Sequence, residues 1–160
     1  MFPYQFVRYG RHMLYFCHPL AKSLGKVSYG KYAEIGAYSF INAGPEGVYI
    51  GSYSQINPLV SIIGNVTIGE RVMIAPSSVI TSGGHRFGKN IRPRFAGSEK
   101  VDGKKLCIED DVWIGANVTI IGNITIGHGS VIAAGVTVDR NIPPETLVRR
   151  SNTFLMEKIH

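Results

Sequence analysis

IEDDVWIGANVTIIGNITIGHGSVIAAGVTV, residues 108–138, decides the fold. Ile108, Ile114, Ile120, Ile126, Ile132 and Val138 stand six residues apart. Two residues before each lies a second regular position, occupied by Leu106, Val112, Val118, Ile124, Ser130 and Val136. The residue after the aliphatic is often small or a turn former, as at Gly115, Gly127 and Ala133. Reading backwards, the same step governs Ile50, Ile56, Ile62, Ile68, Ile74 and Ile80, preceded by Val48, Ser54, Val60, Val66, Val72 and Ser78. Ile35 and Ile41 continue it, offset by a three-residue insertion near Ala43–Gly47.

A period of six with two inward residues per unit fits neither a helix nor a hairpin stack. Inward residues two apart have strand spacing. The small residue that follows is expected to let the chain turn sharply. Three such units close a triangular coil of 18 residues, so that isoleucine stacks on isoleucine. The predicted fold is all-β, a parallel β-helix of hexapeptide repeats. Each buried isoleucine contributes about 1.5–3 kcal/mol.

The rhythm stops at TSGGHRF, residues 81–87, and resumes at Leu106. Residues 81–105 therefore read as a long extruded loop, and loops of that length usually carry function or are disordered. Arg86, Lys89, Arg92, Arg94, Lys100, Lys104 and Lys105 face only Glu99 and Asp102 within it. Most of the formal net charge of +6 sits there, which favours an anionic partner. His85 stands at the mouth of this loop, after the flexible pair Gly83-Gly84. A neutral imidazole there has the basicity to take a proton from a hydroxyl.

The remaining composition excludes several classes. The 160 residues suit one domain with a real core. Two cysteines, Cys17 and Cys107, suggest reduced thiols and a cytoplasmic chain rather than a secreted scaffold. Arg8, Arg11, His12 and His18 interrupt the apolar N-terminus, so it reads as neither a signal peptide nor a membrane span. Phe2, Phe6, Tyr9, Met13, Phe16 and Leu20 fall at helical spacing between Pro3 and Pro19. Residues 1–26 are accordingly expected to form a helical cap over the first coil, with peripheral contact to the inner membrane face as the alternative. The β-helix is expected over 27–148 and a tail over 149–160.

IGERVMIAPSSVITSGGH (68–85) followed by IEDDVWIGANVTIIGNITIGHGSVIAAGVTVDRNIPP (108–144) resembles the hexapeptide-repeat acyltransferases, in particular the galactoside, maltose and xenobiotic O-acetyltransferase group. The resemblance implies a left-handed coil, an exception to the usual right-handed crossover. It also implies a homotrimer, acetyl-CoA as donor, no metal, and active sites between subunits. His85 falls where the family keeps its catalytic histidine, and the Ala116 amide where a serine amide holds the oxyanion. Trp113, outward between Val112 and Ile114, would wall the acetyl-CoA tunnel. The small residues Ala116, Ala133, Ala134 and Gly135 would let the pantetheine arm lie close, and Gly115 is a further cofactor-binding candidate. Arg140 replaces a phosphate-contacting lysine, Asp139 a threonine, and Arg149 and Arg150 are further phosphate candidates. The family's ending is absent after Pro144, where LVRRSNTFLMEKIH replaces it. Gln55, Asn57 and Arg86 are the acceptor candidates, although an asparagine after Ile56 also suits a turn.

The expected reaction is O-acetylation of a sugar or surface-polysaccharide precursor, with antibiotics or amino-sugar nucleotides as alternative acceptors. No nucleic-acid partner is expected. A non-catalytic scaffold and a zinc enzyme of the γ-carbonic-anhydrase type share the fold. Against zinc, His128 matches one ligand of that family but Ala133 stands where the second would fall.

Overall fold

The structure, a computed structural model, describes residues 5–9, 13–85, 89–90, 92 and 105–150. The coil has three faces. The first carries Met13–Cys17, Glu34–Ile35, Gln55–Ile56, Met73–Ile74, Trp113–Ile114, Val131–Ile132 and Leu147–Val148, each parallel to the next. The second carries Lys22–Leu24, the starts of Phe40–Ile50 and Ser61–Ile68, then Val79–Thr81, Thr119–Ile121 and Thr137–Val138. The third carries Val27–Tyr29, the ends of the same two long strands, Leu106–Ile108, Thr125–Ile126 and a bridge from Ile126 to Ile142. The result is a left-handed parallel β-helix of about six coils. No helix among the described residues is long and apolar enough to cross a membrane.

The inward rows are those the period predicts. Ile35, Ile56, Ile74, Ile114 and Ile132 stack along the first face, and each is buried. Ile41, Ile62, Ile80 and Ile120 do the same on the second face, and Ile50, Ile68, Ile108 and Ile126 on the third. Four serines occupy inward positions for a polar reason, and the first, Ser39, donates its hydroxyl to the Asn57 carbonyl at 3.0 Å. Ser54 donates its hydroxyl to the Gly69 carbonyl at 2.8 Å and accepts from the Val72 N–H at 2.9 Å. Ser78 does the same with Gly115 and Val118, and Ser130 with Pro143 and Thr146. Each hydroxyl ties one coil to the next and is itself satisfied. The insertion shows as a register shift between Ala43 and Val48.

The glycines that follow some of the aliphatics serve a different purpose from the expected one. The left-handed conformation falls later in the turn, on Tyr53, Arg71 and Asn117 among others, with φ of 54–60°. Gly51 instead lies where the neighbouring coil stacks tightly, and a Cβ there would overlap the Gly69 carbonyl. Gly127 meets the backbone at Pro143-Pro144 in the same way.

The expected helical cap is not formed. Gln5–Tyr9 and Met13–Cys17 are antiparallel strands, and the second joins the first face beside Glu34–Ile35. Residues 15–29 are the first coil. Tyr15, Cys17, Ala21, Val27 and Tyr29 pack against the core at the hexapeptide positions. The Tyr15 and Tyr29 rings stack at 4.4 Å, and the Tyr29 hydroxyl meets Ser23 Oγ at 2.8 Å. The end of the coil is thus closed by aromatic side chains from within. Phe2 and the terminal tail, 151–160, lie outside the described residues.

Candidate active site

The long loop leaves the corner between the second and third faces. Its base is pinned on both sides. Ser82 Oγ accepts from the Asn65 N–H at 2.8 Å, and the Ser82 N–H donates to the Ile63 carbonyl at 3.1 Å. On the returning side the Lys105 N–H donates to Asn123 Oδ1 at 2.9 Å. Asn65 and Asn141 accept from Glu46 and Thr125 at equivalent points of their coils. Sequence reasoning missed these asparagines. The signal was present in two near-identical octapeptides, IIGNVTIG (62–69) and IIGNITIG (120–127), which bracket the loop.

His85 stands three residues beyond the pinned Ser82, with its side chain exposed. It borders a groove of about 500 Å³ that runs toward the N-terminal coils, past Gly83, Thr81 and Ile63 to Asn42 and Pro45. The far wall is the insertion of the second coil. Arg86 lies outside the described residues. Asp139 and Arg140 occupy the same corner two coils beyond His85, on its C-terminal side. Arg140 Nε donates to Asp139 Oδ1 at 2.8 Å, and this bond and charge hold the Asp139 carboxyl below the usual aspartate range.

The other candidates are elsewhere on the chain. Gly115, Ala116, Ala133 and Ala134 lie at the corner between the first and second faces, where the Gly115 N–H donates to the Ile132 carbonyl. Arg149 follows the last first-face strand, and the Arg150 guanidinium approaches Gly135. The Ala116 N–H pairs with no carbonyl among the described residues. Asn57 donates to the Ile74 carbonyl at 2.9 Å, so its amide supports the turn. Gln55 remains on the surface and donates to Glu34 Oε2 at 3.4 Å.

Trp113 is 52% exposed and belongs to one outward row along the first face: Phe16, Glu34, Gln55, Met73, Trp113, Val131, Leu147. The row is polar at Glu34 and Gln55 and apolar from Met73 onward. That face is opposite the corner that carries His85. Neither cysteine lies in the outward row of that face or at the His85 corner. Cys17 is in the first coil, where burial pushes its thiol up. Cys107 is half-buried on the third face.

Comparison with known proteins agrees with this architecture. A family model described as bacterial transferase hexapeptide (six repeats) matches residues 47–82 and 108–140. The galactoside O-acetyltransferase of Lactococcus lactis is 30% identical over 137 residues, covering 81% of this chain and 64% of that protein. The galactoside O-acetyltransferase of Escherichia coli is 33% identical, covering 62% of this chain and 48% of that one. The chain therefore spans less than two thirds of these relatives. Among solved structures, PerB of Caulobacter crescentus, in complex with CoA and GDP-perosamine, superposes with a TM-score of 0.65 at 20% identity, covering 84% of this chain and 53% of that one. The N-acyltransferase AntD of Bacillus cereus, in complex with dTDP and 3-hydroxybutyryl-CoA, superposes with a TM-score of 0.66 at 19% identity, over 83% of this chain and 73% of that one. Its repeat, its coil and these relatives agree: the chain carries the bacterial transferase hexapeptide repeat and is similar to the hexapeptide-repeat acyltransferases.

Proposed function

We propose that the protein is an acetyl-CoA-dependent acetyltransferase acting on a hydroxyl of a sugar or surface-polysaccharide precursor, as a homotrimer. The observation that carries the reading is a match of levels. His85 leaves the corner in the coil that begins with Met73, and on the opposite face the outward row turns from polar to apolar there. A second copy that places its first face against this corner would align Gln55 with the acceptor side of His85. It would align Met73 and Trp113 with the donor side, an apolar wall suited to a pantetheine arm.

In this arrangement the His85 imidazole takes the proton of the acceptor hydroxyl. The hydroxyl oxygen attacks the thioester carbonyl, and the Ala116 N–H donates to the oxyanion that forms. Collapse breaks the carbon–sulfur bond, and the imidazolium returns its proton to the leaving CoA thiolate. No acyl-enzyme is needed, and neither Cys17 nor Cys107 borders the His85 groove.

The test is thiol release from acetyl-CoA with a panel of sugar acceptors, followed by mixing two variants. His85→Ala and Trp113→Ala chains are each expected to be impaired at low acetyl-CoA. Unfolded and refolded together, they should regain about a quarter of the wild-type rate, because one ordered interface in four joins an intact His85 to an intact Trp113. No gain on mixing would show that both residues act within one chain or not at all.

A further inference from the structure

We propose that Glu34, with Gln55 and His18, forms an acceptor subsite that accepts neutral or cationic sugars and rejects anionic ones. The proposal rests on the acetyltransferase reading above and gives it a substrate class. At the N-terminal end of the first face lies a groove of about 300 Å³, bordered by Phe16, His18, Glu34, Gln55 and Pro58. Among the described residues, Glu34 is the only carboxylate in its lining, and no lysine or arginine borders it. The Glu34 side chain is exposed, and its one hydrogen bond among the described residues is the 3.4 Å contact from Gln55. A carboxylate has about four lone-pair positions, so most of this one's accepting capacity is unused.

The neighbouring groups complete a pattern that fits hydroxyls. His18 Nδ1 accepts from the Leu20 N–H at 3.2 Å, which leaves the proton of the neutral ring on Nε2 as a donor. The Gln55 amide supplies a further donor and an acceptor. Phe16 gives the groove an apolar wall. A sugar bearing adjacent hydroxyls can donate to Glu34 and accept from His18 or Gln55 while its apolar face meets Phe16.

Charge decides which sugar. The net charge of +6 suggests an acidic acceptor when taken alone. Among the described residues, no lysine or arginine lines this groove. Arg140, Arg149 and Arg150 are at the C-terminal coils, on the side where the donor's phosphates would bind, and Lys22, Lys26 and Lys31 of the N-terminal coils are not in the groove's lining. An anionic sugar in the Glu34 groove would place like charges together, with no arginine or lysine among the described lining residues to offset them.

The experiment measures binding by saturation-transfer NMR and turnover by thiol release, with methyl β-galactopyranoside, glucosamine and galacturonate as probes. The wild type should bind the first two at least about tenfold more tightly than galacturonate. Glu34→Gln should narrow that gap to about twofold, and Glu34→Lys should reverse the order. Because Glu34 is exposed, both variants are expected to fold. Unchanged selectivity in Glu34→Gln, or no binding of any probe, overturns the proposal. The predicted binding order without acetyl transfer to any probe supports the subsite and removes the acetyltransferase reading. Transfer with selectivity indifferent to Glu34 does the reverse.

Discussion

Trp113 and His85 lie on opposite sides of the β-helix, one on a flat face and the other at the corner facing away from it. A single chain cannot close one site from both. What the two share is their position along the axis, since His85 leaves the coil whose first-face strand, Met73–Ile74, pairs directly with Trp113–Ile114. Residues that agree in level but not in side meet only across two copies packed side by side, as in the assembly proposed above.

His85→Ala should reduce turnover by about 10²–10⁴-fold, the usual contribution of a positioned general base. Its side chain is exposed beyond a base pinned by Asn65, Ile63 and Asn123, so the thermal midpoint should move little. Steady-state rates and a melting curve on one preparation check both parts. An active variant would remove His85 from the mechanism.

Trp113→Ala should raise the dissociation constant for acetyl-CoA and leave the melting point nearly unchanged, because the indole is half exposed and the core residues beside it are Val112 and Ile114. Calorimetric titration with a non-reactive CoA thioether measures this directly. Donor affinity equal to wild type would return Trp113 to packing.

Most of the coil could be read from sequence because isoleucine marks the inward rows from Ile35 to Ile132. The first coil was hidden by its own composition. Cys17, Ser23 and Tyr29 stand where later coils have isoleucine, and the aromatic residues around them happen to fall at helical spacing. Their stacking partners, Tyr15 with Tyr29, are visible only once the coil is closed. The candidate site was legible in part. His85 and Trp113 were marked by the interrupted rhythm and by strand alternation, whereas Asn57 proved to be a turn support. Glu34 carried no sequence signal, because its neighbour in the row, Gln55, is twenty-one residues away.

Gly51→Ala should destabilise the fold by about 1–3 kcal/mol, since the new methyl meets the Gly69 carbonyl and rigid backbone must shift. Gly84→Ala is the control. A Cβ there meets nothing within 4 Å, so stability should be unchanged. Urea midpoints for the two variants separate the cases. If the His85 groove takes the acceptor, Gly84→Ala should also raise the acceptor KM, because Gly84 borders it.

Arg71 and Asp111 lie forty residues apart in sequence, and their pairing spans the excursion of the loop. Arg71 Nε donates to Asp111 Oδ1 at 2.7 Å, and a second guanidinium nitrogen donates to Oδ2 at 2.9 Å. These bonds, and then the Arg71 charge, hold the Asp111 carboxyl below its ordinary value of 3.8. A carboxyl with a lowered folded value stabilises the native state above its unfolded value and loses that contribution as pH falls through the folded one. The contribution is therefore complete near neutrality and disappears in acid. Both side chains are about half exposed, so solvent and salt weaken the pair. Arg71→Ala should lower the urea midpoint slightly at pH 7 and make no difference near pH 2, with the two curves converging below about pH 4. Added salt should shrink the neutral-pH difference. Parallel curves across the whole range would mean that the pair does not join its two coils electrostatically, and that Arg71 acts through packing alone.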